Sequence, residues 1–228
     1  MIVRRTRVKI CGITRIDDGV AAVRAGADAI GFVFWSGTPR NITAERAAAI
    51  AAAIPPFVSM VGLFVDPDAA HVRSILAAVP LAMLQFHGRE PAEFCGSFGR
   101  PYLKAVPVDA AANEAGLLEY GAHYSRAAGL LFDAPPAGGV PGGTGRTFNW
   151  DVLSLSLRER LSQPIVLSGG LHDGNVGAAI RQVHPWAVDV SSGVEARDPE
   201  GKLRKGIKDP SLIAAFIEEV RNADVRSA

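Results

Sequence analysis

Cys11 closes the stretch "RVKIC" just before Gly12, and Asp133 closes "LLFD" just before Ala134. A thiolate is a good nucleophile and base, and a carboxylic acid among apolar neighbours holds its proton more tightly than in water. Set across a site from each other, the two would form an acid/base pair of different chemistries. Each also has an ordinary reading. Free cysteine is among the most buried residue types, and an aspartate before a turn commonly caps it. Further polar groups close apolar runs in the same way: Arg40, Asp66, Gln85, His87, Ser168, Asp189, Ser191 and Ser192. Arg40, in "WSGTPRNIT", matches a carboxylate bidentately or is a surface arginine. His87, in "LQFHG", is a donor to a ligand or a satisfied strand-end histidine. Asp66, ahead of Pro67, reads as a helix cap. The five histidines are scattered, with no HxH or HExxH spacing, so no metal site is expected.

Glycine clusters give a second signal. "PGGTG" (141–145), "LSGGL" (167–171) and "SSGVE" (191–195) all follow late apolar runs. Glycines mark turns, and they also let backbone N–H groups approach an anion while serine hydroxyls add donors. The stretch 134–149 is dense in Gly and Pro and long for a connection in a compact domain, so it reads as a cover that closes on a ligand or as a surface excursion.

These residues need a frame that brings chain ends together. Eight apolar runs recur, at 7–11, 27–34, 57–65, 81–87, 102–108, 127–133, 164–168 and 186–191. They are near-continuous rather than alternating, as strands buried on both faces are. Helical patterns lie between them. Thr14 with Asp17 predicts a capped start for 15–25, Thr43 caps 43–54, and Asp66 with Pro67 starts 66–79. The stretch 172–183 is a further helix, and Asp209 with Pro210 opens 209–222, where Leu212, Ile213, Phe216, Ile217 and Val220 share a face. The helical pattern is weakest at 113–122 and 149–161. Alternation of this kind means parallel strands with right-handed crossovers. Eight even units favour a closed (β/α)8 TIM barrel, one α/β domain over 1–228, rather than an open doubly wound sheet, and no GxGxxG follows the first strand. In such a barrel, chemistry belongs at the C-terminal strand ends, and phosphate belongs in the loops after strands seven and eight.

Bulk properties exclude other classes. A net charge of +1 across 228 residues creates no field aimed at nucleic acid or an anionic membrane. Two distant cysteines form no disulfide framework, and "MIVRRTRVKI" lacks the apolar run of a secretory leader, so a cytoplasmic protein is expected. The charge-free run 47–65 is as long as a membrane span, but Pro55 and Pro56 split it into a helix, a turn and a strand.

The motifs "KICGIT", "GFVFWSGTPRNI", "VGLFV", "LQFHG", "LLFDA", "GGTGRTFNW", "LSGGL", "DVSSGVE" and "GIKDP", in this order from Lys9 to the last helix, closely resemble the phosphoribosylanthranilate isomerases of tryptophan biosynthesis. The resemblance implies a barrel enzyme without cofactor or metal that carries out an Amadori rearrangement of a phosphorylated small molecule. It implies Cys11 as general base and Asp133 as general acid, and it assigns Arg40 to the anthranilate carboxylate. Lys9, Gln85, His87 and Asp189 are expected to face the substrate, and Gly143, Gly169, Gly170, Ser191, Ser192 and Gly193 to hold its phosphate. Lys9, two residues before Cys11 on one strand face, is expected to favour the thiolate. A monomer is expected, with a dimer as the alternative. The related isomerase of histidine biosynthesis is a rival reading, but it carries an aspartate where Cys11 stands. A non-catalytic phosphate-binding module is another, and the joint presence of Cys11 and Asp133 argues against it.

Overall fold

The computed structural model describes residues 5–135, 145 and 147–226. Gly143 and most of the 134–149 stretch lie outside the described residues. The eight apolar runs form eight parallel strands: β1 (Arg7–Cys11), β2 (Ala29–Val33), β3 (Ser59–Phe64), β4 (Met83–Phe86), β5 (Tyr102–Pro107), β6 (Gly129–Asp133), β7 (Ile165–Leu167) and β8 (Ala187–Val190). They close in sequence order, β1 pairing with both β2 and β8. Helices fill the connections: α1 (Ile16–Ala25), α2 (Ala44–Ala53), α3 (Ala69–Ala78), α4 (Ala92–Cys95), α5 (Glu114–His123), α6 (Leu155–Arg160), α7 (Asp173–Val183) and α8 (Pro210–Arg226). The two weakly patterned segments are therefore helical, although α6 is short. The split run 47–65 yields the end of α2, a turn and β3, and among the described residues no helix is long and apolar enough to cross a membrane.

Strand parity sorts the side chains. Val8, Ile10, Ile30, Phe32, Phe64, Leu84, Phe86, Leu130, Phe132 and Val188 pack outward into the large core shared with the helices. The alternate set turns inward. Leu103, Ala105, Leu131 and Val166 form one internal cluster, and Cys11, Val33 and Leu63 form another. The predicted face of α8 is buried, with Ile213, Phe216, Ile217 and Val220 against the core, each contributing about 1.5–3 kcal/mol.

Thr43 caps α2 as expected, accepting from Arg46 N, and Asp209 accepts from Ser211 N and Leu212 N at the start of α8. Two other caps differ. α3 is capped by Asp68, which accepts from His71 N. Asp66 instead adopts a left-handed backbone (φ 45°) and accepts from Arg89 N, because the loop after β4 packs against it. α1 has Arg15 at its cap position without a side-chain bond, since the Thr14 hydroxyl donates to Gly206 O. That acceptor belongs to an unexpected feature, an antiparallel ribbon of β9 (Glu195–Arg197) and β10 (Leu203–Lys208) inserted between β8 and α8.

Candidate active site

The inward parity of the strands concentrates polar groups at their C-terminal ends. One cavity is lined there by Cys11, Arg40, Gln85, His87, Asp133, Ser168, Asp189 and Ser191, with Val33, Trp35, Thr38 and Leu63. Lys9 sits one inward step below Cys11 on β1 and does not line the cavity. Register pairs Lys9 with Asp189 of β8, and Lys9 Nζ donates to Asp189 Oδ1 at 2.8 Å, both groups buried.

The thiol environment departs from expectation. Burial pushes the Cys11 thiol above its ordinary value of 9.0, while Lys9 and, more weakly, Lys208 pull it down and Asp189 pushes it up. Lys9 thus acts in the predicted sense without outweighing the loss of solvent. Burial also works against the ammonium of Lys9, but Asp189 and Cys11 more than offset it and hold Lys9 protonated.

On the far side of the barrel a chain of close polar contacts runs from the end of β4 to the end of β6. Gln85 Nε2 lies 3.3 Å from His87 Nδ1, and His87 Nε2 lies 3.2 Å from Asp133 Oδ2. The other Asp133 oxygen accepts from Ala134 N at 2.8 Å. Asp133 is buried, and its two oxygens are held in one orientation, so it serves the turn and faces the cavity at once. Gln85 Oε1 is fully buried and has no hydrogen-bond partner among the described residues.

The late loops come together as their glycines suggest. After β7, Gly169 has φ +84°, and a Cβ there would meet Ala134 N at 2.8 Å and Asp133 Oδ1 at 3.0 Å. After β8, a 3-10 turn spans Ser192–Val194, and a Cβ on Gly193 would lie 2.0 Å from Leu171 O. Only glycine lets these two loops touch, and the turn's N-terminus lies next to the cavity-lining Ser191. Gly169, Gly170, Ser192 and Gly193 belong to these loops but do not line the cavity.

Arg40 lines the cavity with its side chain buried. Its Nε and Nη2 donate to Glu195 Oε1 and Oε2 at 2.7 and 2.8 Å. Glu195 and Lys208 were not singled out from sequence. Both sit in a charged, glycine-containing stretch whose bland reading is a solvated loop, and only the register of the ribbon, which pairs Lys208 with Glu195, buries them.

The sequence pattern of the family described as N-(5'phosphoribosyl)anthranilate (PRA) isomerase matches residues 8–219. The N-(5'-phosphoribosyl)anthranilate isomerase of Alcanivorax borkumensis is 53% identical, over 96% of this chain and 97% of the relative. Among solved structures, phosphoribosyl anthranilate isomerase from Thermotoga maritima superposes with a TM-score of 0.81 at 39% identity, covering 95% of this chain and 99% of that one. A structure of the enzyme in complex with reduced 1-(o-carboxyphenylamino)-1-deoxyribulose 5-phosphate superposes with a TM-score of 0.78 at 37% identity, with the same coverage of both chains. The chain therefore belongs to the phosphoribosylanthranilate isomerase family.

Proposed function

We propose that Cys11 and Asp133 are the base and acid with which this chain isomerises N-(5-phosphoribosyl)anthranilate to 1-(2-carboxyphenylamino)-1-deoxyribulose 5-phosphate, a step of tryptophan biosynthesis. One observation carries the assignment: a thiol from β1 and a carboxyl from β6, strands that are not neighbours, line one cavity together with Arg40 and Ser191. Asp133 donates its proton to the furanose ring oxygen, the C1–O bond breaks, and the nitrogen lone pair forms an iminium. The iminium makes the C2 hydrogen acidic, and the Cys11 thiolate removes it. The C2–H electrons form the enolamine, which takes a proton at C1 and loses one from the C2 hydroxyl to give the ketone. The net change is an isomerisation, so no redox partner is needed.

His87 suits the ionised acid. With the Gln85 amide donating to Nδ1, the His87 proton is on Nε2, 3.2 Å from Asp133 Oδ2, where it favours the carboxylate left once the Asp133 proton has gone to the substrate. The apolar wall of Val33, Leu63 and Trp35 adjoins Cys11 and fits an aryl ring next to the base. Arg40 is read as the group that takes the aryl carboxylate, with Gln85, His87 and Asp189 ordering the sugar side and Lys9 holding Asp189 from below. The loops bearing Gly169, Gly170, Ser191, Ser192 and Gly193 are read as the phosphate cradle, supported by their mutual contact and the 3-10 turn beside Ser191. The two buried, unpaired cysteines suit a cytoplasmic setting.

The test is loss of anthranilate fluorescence when the protein meets phosphoribosylanthranilate. Cys11→Ala and Asp133→Asn are each expected to lower kcat on the order of 10²–10⁴-fold while product-analogue affinity persists. Absence of turnover by the parent protein would sink the reading, and parent-like turnover by Cys11→Ala would remove the thiol as base.

A further inference from the structure

We propose that Glu195 is a positioning residue for the reaction: it fixes the plane of the Arg40 guanidinium for a ligand carboxylate, and Lys208 ties that pair to the turn at Ser191. The inference rests on the reading of Arg40 as the carboxylate group and goes beyond it by naming what orients Arg40.

Arg40 arrives on the connection after β2, from a short stretch of turns rather than from a strand. A long arginine side chain delivered that way has many rotamers, and a site needs one of them. Glu195 selects it. Both carboxylate oxygens are taken by the Nε–Nη2 edge, so the guanidinium is held side-on in one plane. Glu195 itself cannot swing away. It is fully buried, and its Oε1 also accepts from Gly206 N at 2.8 Å and from Lys208 Nζ at 3.4 Å.

Lys208 extends the linkage. Its buried Nζ donates to Ser191 O at 2.9 Å and lies 3.4 Å from Ser191 Oγ. Arg40, Glu195, Lys208 and Ser191 therefore form one chain, buried up to the half-buried Ser191, running from the loop after β2 to the end of β8. Two of its members line the cavity and two lie behind it. The ribbon supplies the two hidden members: its register sets Glu195 opposite Lys208. An arrangement that only glued the ribbon to the barrel would not need both oxygens of its carboxylate on a cavity-lining arginine.

A double-mutant cycle tests this on the full chain, using Arg40→Met, Glu195→Gln and their combination. Glu195→Gln is expected to raise KM for phosphoribosylanthranilate about tenfold or more with kcat within about threefold, the signature of lost uniform binding. Its inhibition by inorganic phosphate should stay within about twofold of the parent. In the Arg40→Met background the same change should add less than about twofold to KM, because the group it orients is gone. Additive effects on KM, or an equal loss of affinity for inorganic phosphate, would overturn the proposal. Where Glu195→Gln alone leaves Lys208 unpaired and the protein fails to fold, Glu195→Gln with Lys208→Met removes both charges, and the same split is expected of it. An unchanged KM in Arg40→Met would instead refute the role of Arg40, which separates that failure from failure of the positioning role.

Discussion

Two lysine–carboxylate pairs in this barrel look alike and do different things. Lys9–Asp189 and Lys104–Glu90 are each closed at 2.8 Å, and all four groups are buried. Lys9 has the parity of Cys11 and points into the barrel. Lys104 has the opposite parity to its neighbours Leu103 and Ala105, which are inside, and so it points out toward the helices. There Lys104 Nζ donates to Gly88 O at 2.6 Å as well as to Glu90, while Glu90 accepts from the backbone of Asp66 and Gly88. That pair is spent on loop backbone and holds the loops after β3 and β4 together behind His87. The inner pair is spent on the electrostatics of a thiol. A one-residue step along a strand separates scaffold from site.

The largest expected effect breaks the outer pair. Lys104→Met leaves Glu90 buried with its cation removed, and losing one partner of such a pair costs about 3–5 kcal/mol. Urea denaturation should show that loss. The Cys11 titration of the folded protein should not move, since Lys104 is not among the groups acting on that thiol. A shift in the thiol titration would erase the distinction between the pairs.

The inner pair should behave in the reverse sense. Removing the cation with Lys9→Met takes away the strongest pull on the thiol, so the Cys11 pKa rises further above 9.0 and the thiolate fraction at neutral pH falls. Asp189→Asn removes a neighbouring negative charge, so the thiol pKa falls. The rate of alkylation by iodoacetamide against pH reads both shifts. Cys95 does not confuse it, because burial pushes that thiol to about 12. Movement of both variants in the same direction would show that packing, and not charge, sets the thiol.

Parity also explains what was legible in the chain. Near-continuous apolar runs gave the strands, and the two-residue step back from a strand end placed Lys9 on one face with Cys11; the structure shows the same step setting Gln85 with His87 and Asp189 with Ser191. Asp133 could be located as a strand-end carboxylate, but its contact with His87 could not, because β5 stands between β4 and β6 and nothing local to either segment points to the other. The caps misread at Thr14 and Asp66 have one cause: each side chain is drawn to a distant segment, Gly206 in one case and Arg89 in the other. The β9–β10 ribbon was invisible for a related reason. "EGKLRKGIK" has the charge of a solvated loop, and nothing local says that Lys208 is buried. The net state of Cys11 was also out of reach, since desolvation depends on the whole barrel rather than on the neighbour two residues away.

The smallest effect concerns a third pair that belongs to both kinds. Glu195 is held by Lys208 behind the cavity and by Arg40 within it. Burial raises its carboxyl pKa, but the Arg40 hydrogen bonds and the charges of Lys208 and Arg40 outweigh that, and the net pKa lies below its ordinary value of 4.5. A carboxyl whose pKa is lower folded than unfolded binds more protons in the unfolded chain as the pH drops. Its stabilisation is therefore fully present above about the unfolded pKa and is lost as pH falls through the folded one. Glu195→Gln has no such proton to take up. The difference in unfolding free energy between parent and Glu195→Gln, measured by urea titration, should be constant above pH 5 and shrink steadily at more acid pH. If the two proteins instead lose stability in parallel down to pH 3, the ion pair adds nothing to folding, and the ribbon's carboxylate serves the orientation of Arg40 alone.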